Sequence, residues 1–252
     1  MNYIIFDMDD TLLNNHRQIS DYTLNTLKKL QAMGHKLVIN TARSKQFDQD
    51  YFDQLQPDYA ILNGGALILD QDENPIYKAE LDVATTQAFI HQLLTVSDNF
   101  TVQAEDGPYS HLGKYTGQNS KAFDFAAEAF PYPSLKIVAS IEKEEDAAAL
   151  ATRFGLTYVS YFGGLFKRFN HPDATKAQGN KKLMELVGGN LKDVIAFGDD
   201  LGDLEMLQQA GVGVLMCNAK VELHHSCAHI SKYSNDEDGV ARFLAEHFDL
   251  AE

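Results

Sequence analysis

The stretch Tyr3-Ile4-Ile5-Phe6-Asp7-Met8-Asp9-Asp10-Thr11 decides how the rest of the chain is read. Four apolar residues in a row have the length and composition of a buried strand. Carboxylates follow at once at positions 7, 9 and 10. Clustered carboxylates repel one another, so they call for a metal or a shared proton. In open parallel sheets, the carboxyl edge of the strands is where ligands sit. Asp7 and Asp9 stand two apart, so they point the same way in a strand and can face one pocket from a turn. That spacing suits one nucleophile and one proton donor. A solvated acidic loop would not need Ile4, Ile5 and Phe6 immediately before it.

Downstream, Ser20 can cap a helix through residue 32, with Ile19, Leu24, Leu27 and Leu30 on one face and Gly34 just past the end. Residues 36–40 (KLVIN) predict a strand, 44–55 a helix stopped before Pro57, and 59–62 (YAIL) a further strand. This βαβαβ alternation implies a parallel sheet with helices on both faces. Residues 66–69 and 76–78 flank the turn-rich DQDENP and read as a hairpin. The content then changes. Helices are expected at 83–96, 120–130 and 142–154, and strands at 100–104, 135–140, 157–161 and 165–169. That mixture suggests an antiparallel or mixed sheet with helices on one face. From about residue 172 the first style returns, with helices at 176–187, 201–210 and 240–247 and strands at 194–197 and 212–215. The expected fold is α/β, a Rossmann-like parallel-sheet core in two pieces, 1–80 and 170–252. Residues 81–169 are an inserted α/β domain.

Three further positions carry chemistry. Phe197-Gly198-Asp199-Asp200-Leu201-Gly202-Asp203 again puts carboxylates after an apolar strand, where they are placed to hold Mg2+ through oxygen. Thr41, within Asn40-Thr41-Ala42-Arg43, ends a strand where a hydroxyl and backbone N–H groups can receive a phosphoryl oxygen. Lys176 lies near a helix start and gains meaning only beside the others.

Composition narrows the function. The chain has 252 residues, 21 Lys plus Arg against 36 Asp plus Glu, and a net charge of −15. That field argues against a nucleic-acid backbone or an anionic membrane as partner. No apolar run approaches a membrane span. The start, MNYIIFDMDD, does not read as a signal peptide. Cys217 and Cys227 cannot build a disulfide framework and are expected as free thiols in a reducing cytoplasm. His224, His225, Cys227 and His229 fit no closed zinc spacing and read as surface and packing residues.

Taken together, Asp7-x-Asp9-x-Thr11, Thr41, Lys176 and Gly198-Asp199-x-x-x-Asp203 resemble the haloacid dehalogenase-like phosphatase superfamily, in order and at the expected junctions. The insertion between Thr41 and Lys176 resembles the Cof-type branch. Echoes are Asn63-Gly64-Gly65, Cys217-Asn218-Ala219 and residues 235–241 (NDEDGVA). The resemblance spans the core and is weak through 81–169. It implies that Asp7 attacks phosphorus and forms an aspartyl-phosphate, and that Asp9 protonates the leaving oxygen and then activates water. It implies Mg2+ on Asp7, the backbone carbonyl of Asp9, and Asp199, with Asp203 orienting a metal-bound water or Lys176. Thr41 and Lys176 would hold the phosphoryl oxygens, and 81–169 would be a cap that excludes water and selects the leaving group.

The substrate implied is a small phosphorylated metabolite, such as a sugar phosphate. A phosphomutase sharing the intermediate, or a catalytically weak phosphometabolite-binding protein, are the alternatives. Three positions depart from the pattern: Asp10 and Ala177, where Gly is usual, and Gly202, where Asn is usual. Gly202 cannot donate a side-chain hydrogen bond, and one lost transition-state donor is worth on the order of 100-fold in rate.

Overall fold

The computed structural model describes residues 1–47, 49–114, 120–161 and 163–250. In chain order the first segment runs β1 (Tyr3–Phe6), α1 (Asp21–Ala32), β2 (Lys36–Asn40), α2 (Gln49–Leu55), β3 (Tyr59–Leu62), β4 (Leu67–Asp70) and β5 (Pro75–Lys78). The middle contributes α3 (Val83–Leu93), β6 (Phe100–Ala104), β7 (Gly107–His111), β8 (Lys121–Phe123), β9 (Lys136–Ser140), α4 (Glu144–Phe154), β10 (Thr157–Tyr161) and β11 (Phe166–Asn170). The chain then returns through α5 (Lys176–Val187), β12 (Val194–Gly198), α6 (Leu204–Gln209), β13 (Val212–Leu215), β14 (His229–Ile230) and α7 (Gly239–His247). Two compact units result, Met1–Tyr77 with Thr175–Glu252, and Lys78–Ala174.

The first unit is built on a sheet of order β14-β13-β12-β1-β2-β3-β4-β5. It is parallel from β14 to β3 and turns antiparallel at β3–β4. β1 and β12 are buried along their whole length, which is why they read as unbroken apolar runs. Tyr3, Ile5, Val38 and Ile61 pack on Leu183 and Met184 of α5 and on Met206 and Leu207 of α6. Alternate residues face the opposite side, where Phe197 meets Phe243 of α7 edge to face at 5.5 Å. Ser20 caps α1 by accepting the Thr23 N–H at 3.0 Å.

The second unit has the sheet order β10-β11-β9-β6-β7-β8. Its pairs are antiparallel except β7–β8. Phe89, Ile90 and Leu93 of α3 and Leu150 of α4 cover Phe100, Val102, Ile137 and Phe169 on one face.

The helix expected at 120–130 is absent. Lys121–Phe123 is a strand, and the Asp124 carboxylate accepts the N–H groups of Ala126 and Ala127 at 3.0 and 3.1 Å. Phe123, Phe125 and Phe130 instead pack together in tilted and edge-to-face pairs, with centroids 4.8 to 5.4 Å apart. Aromatic packing overrides the helix propensity of the intervening alanines. The strand at Gly107–His111 has no sequence counterpart, because Gly107-Pro108 reads as a turn. The helix expected at 44–55 is a single turn, Lys45–Phe47, followed by α2, and residue 48 lies outside the described residues. The helix expected from 201 starts at Leu204, because the acidic loop occupies the preceding positions. Among the described residues, no helix is long and apolar enough to cross a membrane.

Candidate active site

Asp7 continues β1 by one residue, donating its N–H to the Phe197 carbonyl at 3.1 Å. Its side chain is buried. The chain then makes one wide turn, Met8–Leu12, closed by the Leu13 N–H on the Met8 carbonyl at 2.9 Å. Such five-residue turns concentrate at functional sites. Within it Asp9 is extended, and Asp10 is left-handed at φ 54°. A left-handed position explains why Gly is usual there and why Asp is tolerated.

The second acidic loop leaves β12 at Gly198. Asp203 is fully buried. Its Oδ2 accepts the N–H groups of Asp199 and Asp200, both at 3.1 Å, and its Oδ1 accepts from Lys176 Nζ at 2.6 Å. A Cβ on residue 198 would lie 2.4 Å from the Asp203 Cβ, so only Gly lets Asp203 fold back under the strand end. Lys176 Nζ also lies 2.8 Å from Asp7 Oδ1. One ammonium therefore joins the two acidic loops. Thr11 donates its hydroxyl to Asp199 Oδ1 at 2.8 Å.

Residues outside the sequence-derived set place Lys176. The Asn40 side-chain amide donates to the Lys176 carbonyl at 2.9 Å and to Asn180 Oδ1 at 2.7 Å. Gly65 is left-handed at φ 105°, and a Cβ there would stand 2.1 Å from the Thr175 carbonyl oxygen. This close approach brings the start of α5 to the end of β3. Both residues lie in motif-bearing stretches, Asn40-Thr41-Ala42-Arg43 and Asn63-Gly64-Gly65, but nothing along the chain names their partners.

One carboxylate oxygen from each of Asp7, Asp199 and Asp203 falls within 4.8 Å of the others. Asp203 has both oxygens engaged, so it fits a supporting place. Asp7 Oδ2 and Asp199 Oδ2 accept no hydrogen bond among the described residues and present hard oxygens suited to Mg2+. Burial pushes the Asp7 carboxyl well above the ordinary range; Lys176 opposes this, and Asp203 and Asp199 add to it. Burial also pushes Asp199 up to about 7, against the Thr11 hydrogen bond. Burial works against the Lys176 ammonium, but Asp203 and Asp7 outweigh it and hold the group charged. Two carboxylates raised in this way favour a bound cation, either a proton or a metal.

The Asp9 side chain stands apart from this cluster. Arg43 takes both its oxygens, Nε to Oδ2 at 2.7 Å and Nη2 to Oδ1. The guanidinium also lies 5.6 Å over the Tyr51 ring. Arg43 is thus a site residue, though its place beside Thr41 in the sequence does not point to Asp9. Thr41 is buried, and its hydroxyl accepts the Arg43 N–H at 3.2 Å. Ala177 is buried in the apolar cluster behind the site. His224, His225, Cys227 and His229 form no metal-holding group among the described residues.

The profile of one family, described as haloacid dehalogenase-like hydrolase, matches residues 4–244. A Haemophilus influenzae protein provisionally named a phosphatase is 31% identical, over 97% of each chain. The 5-amino-6-(5-phospho-D-ribitylamino)uracil phosphatase of Bacillus subtilis is 28% identical, over 98% of this chain and 97% of its own. Among solved structures, a Geobacillus kaustophilus protein superposes with a TM-score of 0.84 at 21% identity, over 99% of both chains.

Proposed function

The chain belongs to the haloacid dehalogenase-like hydrolase family, and on that premise we propose that it is a Mg2+-dependent phosphatase of a small phosphorylated metabolite, such as a sugar phosphate. Residues 1–80 and 170–252 form the catalytic core in this reading, and 81–169 the cap. The observation that carries it is the junction of Asp7, Lys176, Asp203 and Asp199 at the ends of β1 and β12.

Asp7 attacks phosphorus, the bond to the leaving oxygen breaks, and an aspartyl-phosphate forms. Asp9 gives its proton to that oxygen. It then takes a proton from the water that hydrolyses the intermediate and frees Asp7. To do so, Asp9 must leave its pairing with Arg43. Lys176, steered by Asp203, and Thr41 hold the phosphoryl oxygens, because phosphoryl transfer depends mainly on positioning and charge neutralisation. Asp7, Asp199 and the Asp9 backbone carbonyl would hold Mg2+, with Asp203 in support. When bound, Mg2+ neutralises developing charge and keeps Asp7 ionised.

The reading is tested by phosphate release from p-nitrophenyl phosphate. Release should stop with a chelator and return with Mg2+. A second readout follows from the raised carboxyls. At Asp199 the metal-free folded state keeps a proton that the unfolded chain has lost between the ordinary value of 3.8 and about 7, and the raised Asp7 carboxyl acts in the same direction. The contribution of these two carboxyls to stability should therefore fall as pH rises through that window and stay lowered above it. Mg2+ replaces those protons, so its effect on Tm should be small near the bottom of the window and large above it. A Mg2+ shift that does not change with pH would contradict this.

Gly202 bears on catalytic strength. Its φ is not in the left-handed region, and an added Cβ would meet only Asp200, 3.1 Å from Oδ1. Gly202→Asn should be accommodated and should raise kcat by up to about 100-fold. An unchanged kcat would show that this site needs no side-chain donor at residue 202.

A further inference from the structure

The turn that follows Asp7 and carries Asp9 is clamped at its middle and just past its C-terminal end by amides from distant loops. Asn218, after β13, donates Nδ2 to the Asp10 carbonyl at 2.7 Å, and its Oδ1 accepts the Asn235 N–H at 3.1 Å. Asn235, after β14, donates Nδ2 to the Leu13 carbonyl at 2.9 Å. The two loops are themselves tied, since the Cys217 N–H donates to Ser231 Oγ at 2.9 Å and that hydroxyl donates to the Tyr233 carbonyl at 2.7 Å.

From this geometry we infer that Asn218 is a positioning residue for Asp9, held in place by Asn235. The inference rests on the phosphatase reading above. Asp10 has the left-handed backbone that a residue with a side chain adopts at a cost, and Asn218 grips the carbonyl of that very residue. Asp9 immediately precedes it in an extended conformation, so holding the Asp10 backbone in its left-handed state limits how the adjoining Asp9 backbone, and with it the Asp9 side chain, can turn. Proton transfer needs a heavy-atom separation of about 2.6–3.2 Å, and a misplacement of about 1 Å can cost 100-fold. Asn218 is itself exposed, so its removal opens no cavity.

The test is a cycle of Asn218→Ala and Asp10→Gly in the full chain with Mg2+. Asn218→Ala should lower kcat about tenfold with KM and Tm nearly unchanged. Gly enters the left-handed region without steric cost, so Asp10→Gly should erase most of that loss. An unchanged kcat, a loss carried by KM, or a loss that persists in the Asp10→Gly background would overturn the inference. Hydrogen exchange reads the same brace without catalysis. The Leu13 amide, bonded to Met8, should lose protection in Asn218→Ala and recover part of it in the double variant. If the wild type releases no phosphate, the phosphatase reading fails, and exchange alone decides whether Asn218 holds the turn. Unchanged Leu13 protection would then sink the brace as well.

Discussion

Asp7→Asn should lower kcat by about 10,000-fold or more, as removal of a nucleophile does, and leave the metal-free protein at least as heat-stable as the wild type. The first half follows from chemistry, since an amide at residue 7 cannot take the phosphoryl group. The second half follows from charge. Asp7, Asp199 and Asp203 gather around one ammonium, and burial holds the Asp7 carboxyl well above its ordinary value. Replacing a carboxylate that is costly to ionise with a neutral amide of the same shape relieves that repulsion and leaves Lys176 paired with Asp203. Active sites commonly trade stability for function in this way. Kinetics with p-nitrophenyl phosphate and thermal unfolding in a chelator check the two halves separately. Residual turnover near the wild-type rate would remove Asp7 from the mechanism. A large fall in Tm would show that its carboxylate is a net stabilising partner.

Parts of this arrangement were legible because the information is local. β1 and β12 are apolar runs buried on both faces, and each is followed directly by carboxylates. Alternation of strands and amphipathic helices marked the parallel sheet of the first unit. The missed parts depend on contacts between distant residues. Arg43 reaches Asp9 because β2 lies beside β1 in parallel register, which no spacing along the chain announces. Gly65 matters because it lets the Thr175 backbone approach, 110 positions later. In the second unit, Phe123, Phe125 and Phe130 have partners supplied by the fold, and these decided against a helix that the alanines favoured. The Asn218 brace was likewise visible only as Cys217-Asn218-Ala219, with no hint that its target is the Asp10 carbonyl.

Lys176→Met should be the most destabilising change in the site, costing about 3–5 kcal/mol in the metal-free protein, together with a loss of about 1,000-fold in kcat. The side chain keeps its apolar stem and loses only the ammonium. Without it, Asp7 and Asp203 are buried with no cation between them, and the remaining donors to Asp203 are the two backbone N–H groups on Oδ2. Lys176→Arg is expected to rescue poorly. The start of α5 is fixed by the Thr175–Gly65 approach and the Asn40 amide, leaving no freedom to reseat a broad planar group. Mg2+ should restore part of the lost stability by supplying the missing charge, but not the rate. A second variant separates charge from packing. Adding Asp7→Asn to Lys176→Met removes one of the stranded carboxylates, so the double variant should unfold at a higher temperature than Lys176→Met alone. If the double variant is weaker than the single, the ammonium acts through packing, and the account of Lys176 as the cation joining two acidic loops is wrong.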